Sequence, residues 1–290
     1  MRSARRIIAI STALAAATAP LLAVASPAAA AQPATTSVQQ NLPLDDVLPL
    51  QGLNPLAQLK RVKQLLKSGY VPQALSVTNA ANPQYASLWV KDVTRKVNVL
   101  QGLTAIDLQK RITEQLKLGY VPTIISGTGS GSGSIFAAVF EKKASGKAEA
   151  KVDLTKDAFQ KLNAKLSAAG LGLASVDVYG TVEKPLYAAV WVTGAVTGAV
   201  KVSLGQTVEA RGKELLAMAR QGLRPVLMAI EPGQLYTTVW SKGSTAGLKE
   251  HLNLSRVTYT LQNTKMKALG YKPVVLDTEG STFAAIWSKG

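Results

Sequence analysis

A five-residue pattern that recurs five times constrains the fold of this chain more than any other feature. In each copy an aromatic residue is followed by three small or aliphatic residues and then by a second aromatic residue. The copies are YASLW from Tyr85, FAAVF from Phe136, YAAVW from Tyr187, YTTVW from Tyr236 and FAAIW from Phe283. Their first residues lie 47 to 51 positions apart. The sequence therefore predicts one structural unit of about 50 residues that occurs five times.

Two further landmarks precede each copy in the same order. The nearer one contains a glycine and reads SGYVP, LGYVP, AGLGL, QGLRP and LGYKP along the chain. The farther one is an extended segment, clearest in VLPLQGLN (47–54) and VNVLQGLT (97–104) and weaker in KVDLT and LNLS. Together the landmarks divide the chain into repeats 47–96, 97–147, 148–198, 199–247 and 248–290.

Between the extended segment and the glycine, each repeat has the pattern of a helix. In the second repeat Thr104 is a candidate N-cap, and Gly119 stands where the chain must turn left-handed to end the helix. Leu108, Ile112 and Leu116 are predicted to form one apolar stripe. The corresponding caps are Asn54, Thr155, Thr207 and Ser255, and the corresponding glycines are Gly69, Gly170, Gly222 and Gly270. The other predicted stripes are Leu59, Val62 and Leu66; Phe159, Leu162 and Leu166; and Tyr259, Met266 and Leu269.

After each glycine, two short apolar runs separated by turn residues predict a β-hairpin. In the last run Phe283, Ala285 and Trp287 point one way, whereas Ala284 and Ile286 point the other. We expect the helix to lie on the small Ala284–Ile286 side and both faces to be covered. The predicted fold is therefore α+β, with five tandem helix–strand–strand repeats. In the second repeat, the glycine-rich stretch 126–134 is predicted to be a hairpin loop.

A unit of this kind cannot bury its apolar faces alone, so neighbouring units must stack. The chain begins its repeats with an extended segment, Val47 to Leu53, and ends on a hairpin. That segment is predicted to pair with the last unit and to close a propeller-like ring. Closure removes exposed sheet edges, and we favour it over an open array.

The N-terminal 31 residues have the pattern of a secretory signal peptide. Arg2, Arg5 and Arg6 precede an apolar run, and the small residues that follow suit cleavage after Ala31. No later segment is apolar enough over ~18 residues to span a membrane. Residues 32–46 are polar and aperiodic and are predicted to be a linker. We therefore expect a secreted protein.

The charge of the chain bears on its partners. The formal net charge is +16, and the leader contributes three of the arginines. Such a charge can attract an anionic cell-envelope polymer, a membrane surface or nucleic acid without specificity, although scattered lysines that only solvate the surface are the simpler interpretation. The partner is predicted to be a macromolecule of unknown identity, such as an anionic cell-envelope polymer or a protein. No motif of a nucleic-acid-binding module is present, so no specific nucleic acid is predicted. The absence of cysteine excludes disulfides, thiolate metal sites and a cysteine nucleophile.

Few residues offer catalytic chemistry. His251 is the single histidine, and its simplest interpretation is a surface residue. Asp177, Glu231 and Asp277 recur near the hairpins. In a ring they would converge and be able to act as an acid–base pair, but turn chemistry accounts for them more simply. No catalytic residue, cofactor or metal site is predicted.

The aromatic residues of the recurring pattern are the candidate ligand-binding residues. As exposed pairs they would offer stacking platforms for sugars or glycine-rich peptides, whereas as buried pairs they would join the units. Ring exposure decides between these interpretations. The candidates are Tyr85, Trp89, Tyr187, Trp191, Tyr236, Trp240, Phe283 and Trp287.

A helix, a G-Y-x-P segment and a strand ending Y/F-A-A-V/I-W, repeated at this period, resemble the polyglycine hydrolase-type structural repeat of bacterial tandem-repeat proteins. The resemblance covers Val47 to Gly290. In the polyglycine hydrolases, similar repeats precede a β-lactamase-like domain with a Ser-x-x-Lys nucleophile motif. This chain contains no serine followed by lysine at that spacing. The resemblance therefore implies a repeat scaffold and transfers no catalytic residue.

Three functions remain open on the sequence, one of which is a module that lost, or works beside, a separate hydrolase. The first is a secreted, non-catalytic scaffold or binding protein for an envelope polymer or a protein. The alternative is a secreted hydrolase of glycine-rich or cell-wall peptide with its site on the repeats. The missing nucleophile motif favours the first.

Overall fold

The computed structural model describes residues 47–143, 146–195 and 199–289. The predicted signal peptide, its cleavage site and the linker lie outside these residues.

Each repeat is built from a strand, a helix of 13 residues and two further strands. The helices are α1 Pro55–Lys67, α2 Ala105–Lys117, α3 Lys156–Ala168, α4 Val208–Arg220 and α5 Arg256–Ala268. The strands before the helices are β1 Val47–Leu53, β4 Val97–Leu103, β7 Ala148–Leu154, β10 Ala199–Gln206 and β13 Leu248–Leu254. The hairpins are β2 Tyr70–Thr78 with β3 Gln84–Lys91, β5 Tyr120–Thr128 with β6 Ile135–Lys142, β8 Leu171–Gly180 with β9 Pro185–Thr193, β11 Leu223–Glu231 with β12 Leu235–Lys242, and β14 Tyr271–Glu279 with β15 Thr282–Lys289. The predicted α+β architecture of repeated helix–strand–strand units is confirmed.

Each repeat forms its own three-stranded antiparallel sheet, with its last strand in the middle. β1 pairs with β3 of the same repeat, from Val47 opposite Val90 to Leu53 opposite Tyr85. The prediction that this segment pairs with the last unit is therefore wrong. The two edges of β3 both need a partner, and local pairing closes a shorter loop than pairing across the chain.

The helix ends follow the sequence. All five predicted caps accept a hydrogen bond from a backbone N–H of the first turn, as Thr104 does from Asp107. All five predicted glycines have a positive φ, between 68° and 81°. These local predictions are confirmed.

The apolar stripes are only partly as predicted. Leu59, Leu116 and Leu269 are 41%, 42% and 51% exposed. In α1 the buried positions are instead Gln58, Val62 and Leu65. An α-helix advances 3.6 residues per turn, so the contact line of α1 runs through i, i+4 and i+7 and leaves Leu59 to one side of it. Leu116 stands at i+8 from Leu108 and turns outward. Leu269 is the C-cap of α5 and lies beyond the helix.

The helix lies on the opposite face of the sheet from the one predicted. The α5 ring of Tyr259 stacks on Phe283, with 5.5 Å between ring centroids, so the aromatic face receives the helix. Ala284 and Ile286 instead pack on Met228 and Ile230 of the fourth repeat. Both faces are apolar, and therefore the alternation alone does not tell which one meets a helix.

Every repeat packs on the next through the same two faces. The small residues of the middle strand of one repeat cover the first hairpin strand and the aromatic face of the preceding repeat. The fifth and first repeats make the equivalent contact, in which Ala86 and Leu88 pack with Phe283 and Trp287. None of the five 13-residue helices in the described part of the chain is long enough to cross a membrane.

Candidate functional site

The first hairpin strands of the repeats, called the inner strands from here on, carry many of the buried polar groups of the fold. β2, β5, β8, β11 and β14 are each an edge strand of their own sheet, and each contacts its neighbours in the adjacent repeats. β14 contacts β2 as well as β11. Because edge strands leave backbone N–H groups without a partner in the sheet, buried edges of this kind need polar side chains to bond them.

One equivalent position on these strands supplies those bonds. Its occupants are Ser76, Ser126, Asp177, Ala229 and Asp277, opposite Ala86, Ala137, Ala188, Thr237 and Ala284 on the middle strands. We call these five residues the inter-repeat ladder. Where the ladder residue has a side-chain oxygen, that oxygen can reach the backbone of the preceding repeat.

Three ladder residues accept from the preceding repeat in the same way. Ser126 Oγ accepts from the Val77 N–H at 2.9 Å. Asp177 Oδ2 accepts from the Gly127 N–H at 2.7 Å. Asp277 Oδ2 accepts from Ile230 N–H at 2.7 Å. The ladder is therefore a structural bond between units.

Each of the two aspartates also makes a second hydrogen bond, to a group that another ladder residue does not bond. Ala229 has no acceptor for the Val178 N–H, and Asp177 Oδ1 takes that bond at 2.9 Å. Ser76 Oγ donates to Asp277 Oδ1 at 2.6 Å, which links the first repeat to the last. A carboxylate has two oxygens and can accept both hydrogen bonds, whereas the single hydroxyl oxygen of a serine at either position would not reach both donors.

Burial makes this cluster electrostatically unusual. Burial raises the pKa of Asp277 to about 6, against the hydrogen bonds from Ser76 and Ile230. Burial and the charge of Asp277 raise the pKa of Asp177 well above its ordinary value. Burial and Asp277 likewise raise the pKa of the neighbouring Glu279 to about 7. Crowded carboxyls in an apolar interior favour their neutral forms.

Asp177 and Asp277 border a small cavity among the five inner strands. Its volume is about 70 Å³, and its lining includes Ser76, Ser175, Asp177 and Asp277 among aliphatic residues. Such a volume holds a few water molecules. In the described residues no group of three or more histidines and carboxylates is placed to hold a metal ion.

Glu231 does not belong with the two aspartates. It occupies the position equivalent to Glu279 and accepts from the Gly205 N–H at 2.8 Å and from Thr237 Oγ1 at 2.5 Å. Asp177 and Asp277 lie inside β8 and β14, so their interpretation as turn residues is wrong. The predicted loop 126–134 is also shorter than expected, because Ser126 to Thr128 continue β5.

The aromatic candidates are buried. The exposed fraction is 0% for all four tryptophans and at most 5% for Tyr85, Tyr187, Tyr236 and Phe283. The indole N–H groups are bonded inside the repeat; Trp191 Nε1, for example, donates to Asn163 at 2.9 Å. The contacts observed for these rings are packing contacts, and none of the eight rings has an open face on the described surface. Ligand binding by these residues stays a prediction.

His251 is half-buried rather than fully on the surface. Its Nε2 lies 2.7 Å from Gln262 Nε2, and its ring meets Trp287 edge-on at 5.6 Å. Burial and, less strongly, Lys265 and Lys249 lower its pKa. Its described contacts are packing contacts within the fifth repeat.

Comparison with known families agrees with this architecture. The family model described as "Polyglycine hydrolase-like, structural repeat" matches residues 51–92, 97–143, 145–194 and 245–290, which is more than half of the chain. The chain belongs to this family. No curated protein matches it. The polyglycine hydrolase-like repeat model leaves the fourth repeat unmatched, although that repeat has the same strand, helix and hairpin as the others.

The fourth polyglycine hydrolase-like repeat differs at one buried helix position. Four residues after each cap stands a buried residue, and the five are Gln58, Leu108, Phe159, Arg211 and Tyr259. Arg211 is fully buried, lies 4.5 Å from the Trp240 ring centroid and pairs with Glu250 of the fifth repeat. This ion pair was not predicted from the sequence. A charged residue at the buried cap-plus-four position was the signal that would have found it.

Proposed function

We propose that the polyglycine hydrolase-like repeats of this chain form a closed, propeller-like scaffold that is secreted, is non-catalytic and binds an anionic cell-envelope polymer or an envelope protein. The observation that carries the proposal is the inter-repeat ladder, because it commits buried polar side chains, Asp177 and Asp277 among them, to holding repeats together. A side chain already bonded to a neighbouring backbone serves structure first.

Closure is supported by contacts between the first and last repeats. Ser76 bonds Asp277, and Gln73 Nε2 donates to the Val274 carbonyl at 3.3 Å. The packing of Ala86 and Leu88 on the aromatic face of the fifth repeat is of the same type as the contacts between consecutive repeats. A ring of this kind leaves no inner strand edge exposed.

The non-catalytic part of the proposal is supported by the use and the surroundings of the acidic residues. A hydrolase site on the repeats would draw on the Asp177–Asp277 pair, since those carboxyls have the raised pKa values that acid–base catalysis requires. The cavity beside them has about 70 Å³, which suits water rather than a peptide.

Secretion is supported by the leader, in which Arg2, Arg5 and Arg6 precede the apolar run and small residues surround Ala31. N-terminal sequencing of the protein from culture medium should find Gln32 as its first residue. A protein that keeps Met1, or that stays with the cytoplasm, would contradict secretion.

Closure can be tested by crosslinking, because the chain has no cysteine of its own. The double variant Ser76→Cys/Asp277→Cys should form an intramolecular disulfide on mild oxidation, seen as a gel mobility shift that a reductant reverses. Ser76→Cys/Ala229→Cys is the control, since repeats one and four are not neighbours in a ring. Equal crosslinking in both variants, or none in the first, would contradict closure.

The catalytic alternative has its own test. The purified protein should release no fragment from a glycine-rich peptide, as followed by mass spectrometry. Cleavage that disappears in Asp277→Asn, with the folded state intact, would establish the hydrolase in place of the scaffold.

A further inference from the structure

One of the clefts on the described surface is lined by charged residues that the architecture does not need. It lies at the junction of the first and second repeats, where α1 ends, β2 begins and the connection from β3 to β4 passes. Its volume is about 720 Å³, roughly ten times that of the cavity among the inner strands. Tyr70 and Tyr120 form part of its wall.

The charge of this cleft is strongly positive. Lys67, Lys91, Arg95 and Lys96 line it, against the single carboxylate of Asp92. The three lysines are exposed and make no ion pair with a described residue. Asp92 is engaged in a turn, where it accepts from the N–H and the hydroxyl of Thr94. Lys142 extends the patch, since it lies over the ring of Tyr120 in the cleft wall.

Helix stabilisation explains only part of this patch. A lysine in the last turn, as Lys67 is, interacts favourably with the helix dipole. Lys91 is on a strand end and Lys96 in the connection between repeats, so they are outside that helix. Lys91 lies over the Tyr70 ring, which leaves its ammonium group at the cleft surface.

The same junction between the third and fourth repeats shows that the fold does not require cations here. Its connection, TGAVTG at 193–198, has no charged residue, whereas KDVTRK at 91–96 has three cations. The helix before it ends in Ala168 in place of Lys67. Because the two junctions serve the same architecture, the cations at the first junction are not explained by the fold alone.

We infer that this cleft is the binding site of the scaffold for a phosphodiester-linked polyanion. The inference rests on the proposed function and specifies its partner. Its lysines are compact point charges, which bind phosphate oxygens without the fork geometry that a carboxylate prefers. The one guanidinium in the cleft, Arg95, is already held by Glu141 at 2.7 Å.

The wall of the cleft favours a polymer read through its backbone. Tyr70 is fully buried and Lys142 lies over the Tyr120 ring at 5.7 Å, so neither ring is free to stack on a base. Single-stranded nucleic acids gain much of their affinity from such stacking. The contacts that remain are electrostatic contacts to phosphate.

The experiment compares two triple variants that change the net charge equally. Lys67→Gln/Lys91→Gln/Lys96→Gln removes the cleft lysines. The control Lys161→Gln/Lys165→Gln/Lys184→Gln removes exposed lysines of the third repeat. Binding of the purified proteins to poly(glycerol phosphate) is measured by fluorescence anisotropy across a salt series, with polygalacturonate and single-stranded DNA as comparison polymers. Circular dichroism and thermal unfolding check that both variants are folded.

We expect the cleft variant to bind poly(glycerol phosphate) about tenfold to hundredfold more weakly, with a salt dependence shallower by about two in log–log slope, because three phosphate contacts are lost. The control should change affinity by less than about threefold. Equal losses of affinity in both variants would mean that binding depends on net charge alone. That result would contradict the cleft as the binding site but not the proposed function. Failure of the wild type to bind any of the three polymers would overturn the anionic-polymer partner and the cleft together.

The comparison polymers decide the chemistry. Polygalacturonate binding as tight as poly(glycerol phosphate) binding, per charge, would overturn the choice of phosphate. Similar affinity for DNA and poly(glycerol phosphate), per phosphate, would support backbone recognition. Much tighter binding of DNA would mean that bases contribute, and would overturn an envelope polymer as the partner.

Discussion

The third and fourth repeats fill the same buried helix position with opposite chemistry. In the third repeat Phe159 stacks on Tyr187 at 5.0 Å and contacts Trp191 at 5.9 Å. In the fourth, the guanidinium of Arg211 takes that place over Trp240 and pairs with Glu250. The third repeat thus completes its own core, whereas the fourth borrows a carboxylate from the fifth.

This difference shows that the buried helix position requires a side chain of a certain shape and not one residue type. A flat group over the indole ring is common to both solutions, since a guanidinium is planar and attracted to an aromatic face. The Arg211 arrangement has one requirement that the Phe159 arrangement does not have. A buried cation is tolerated only while its counter-ion is present.

Removing that counter-ion should have the largest effect. Glu250→Ala removes the ion-pair partner of the buried Arg211, which then keeps only the nearby charge of Glu214, and we expect a loss of about 3–5 kcal/mol in the free energy of unfolding, measured by urea denaturation. The double variant Arg211→Phe/Glu250→Val copies the junction of repeats three and four, where Phe159 packs near Val202. It should recover most of the loss or exceed the wild type. A double variant as unstable as Glu250→Ala would show that the two solutions are not interchangeable.

The buried carboxyls should also make stability depend on pH, at the junction of repeats four and five through Asp277 and Glu279 and at the junction of repeats two and three through Asp177. Asp277 and Glu279 have folded-state pKa values of about 6 and about 7, raised above their ordinary values by burial. A raised carboxyl pKa gives stability that is complete below the unfolded-state pKa, near 4, and is lost as pH rises through 6 and 7. The free energy of unfolding should therefore be roughly 2–4 kcal/mol lower at pH 8 than at pH 5.

Variants separate this effect from other titrations. The lowered pKa of His251 acts in the opposite direction, since it favours the folded state as pH rises. Asp277→Asn should flatten the pH dependence, whereas Asp157→Asn on the exposed surface of α3 should leave it unchanged. Stability that rises from pH 5 to pH 8 in the wild type would contradict the assignment.

What the sequence predicts well is what a repeat decides within itself. The caps and terminating glycines depend on a few consecutive residues, and all ten are as predicted. The pairing of β1 depends on which free strand edge is nearest along the chain, and the face that receives the helix depends on which of two apolar surfaces packs better. The periodicity of apolar residues decides neither. The Arg211–Glu250 pair and the Ser76–Asp277 bond join residues 39 and 201 positions apart, so no local pattern contains them.

A smaller effect tests how strictly the third repeat needs an aromatic ring at this position. Phe159→Leu should cost less than about 1.5 kcal/mol, because Leu108 already fills the equivalent position in the second repeat. Urea denaturation is again the measurement, with Leu162→Ala on the half-buried side of α3 as the comparison. A loss as large as that of Glu250→Ala would mean that the stack on Tyr187 is indispensable and that the position is not defined by shape alone.

The smallest effect should be the same in both repeats. Thr155 and Thr207 cap α3 and α4 by accepting from Ala158 and Ala210 at 3.2 Å and 3.1 Å. Replacing either threonine with alanine removes one bond to a first-turn N–H, and each change should cost about 1 kcal/mol in thermal or urea unfolding. The cap lies outside the aromatic or ionic contact that distinguishes the repeats, so the two losses should agree. A much larger loss for Thr207→Ala would show that the position of Arg211 depends on its cap, since Arg211 lies one turn beyond Thr207 and bonds its carbonyl. The third repeat, whose ring is held by stacking, would then be the more tolerant of the two.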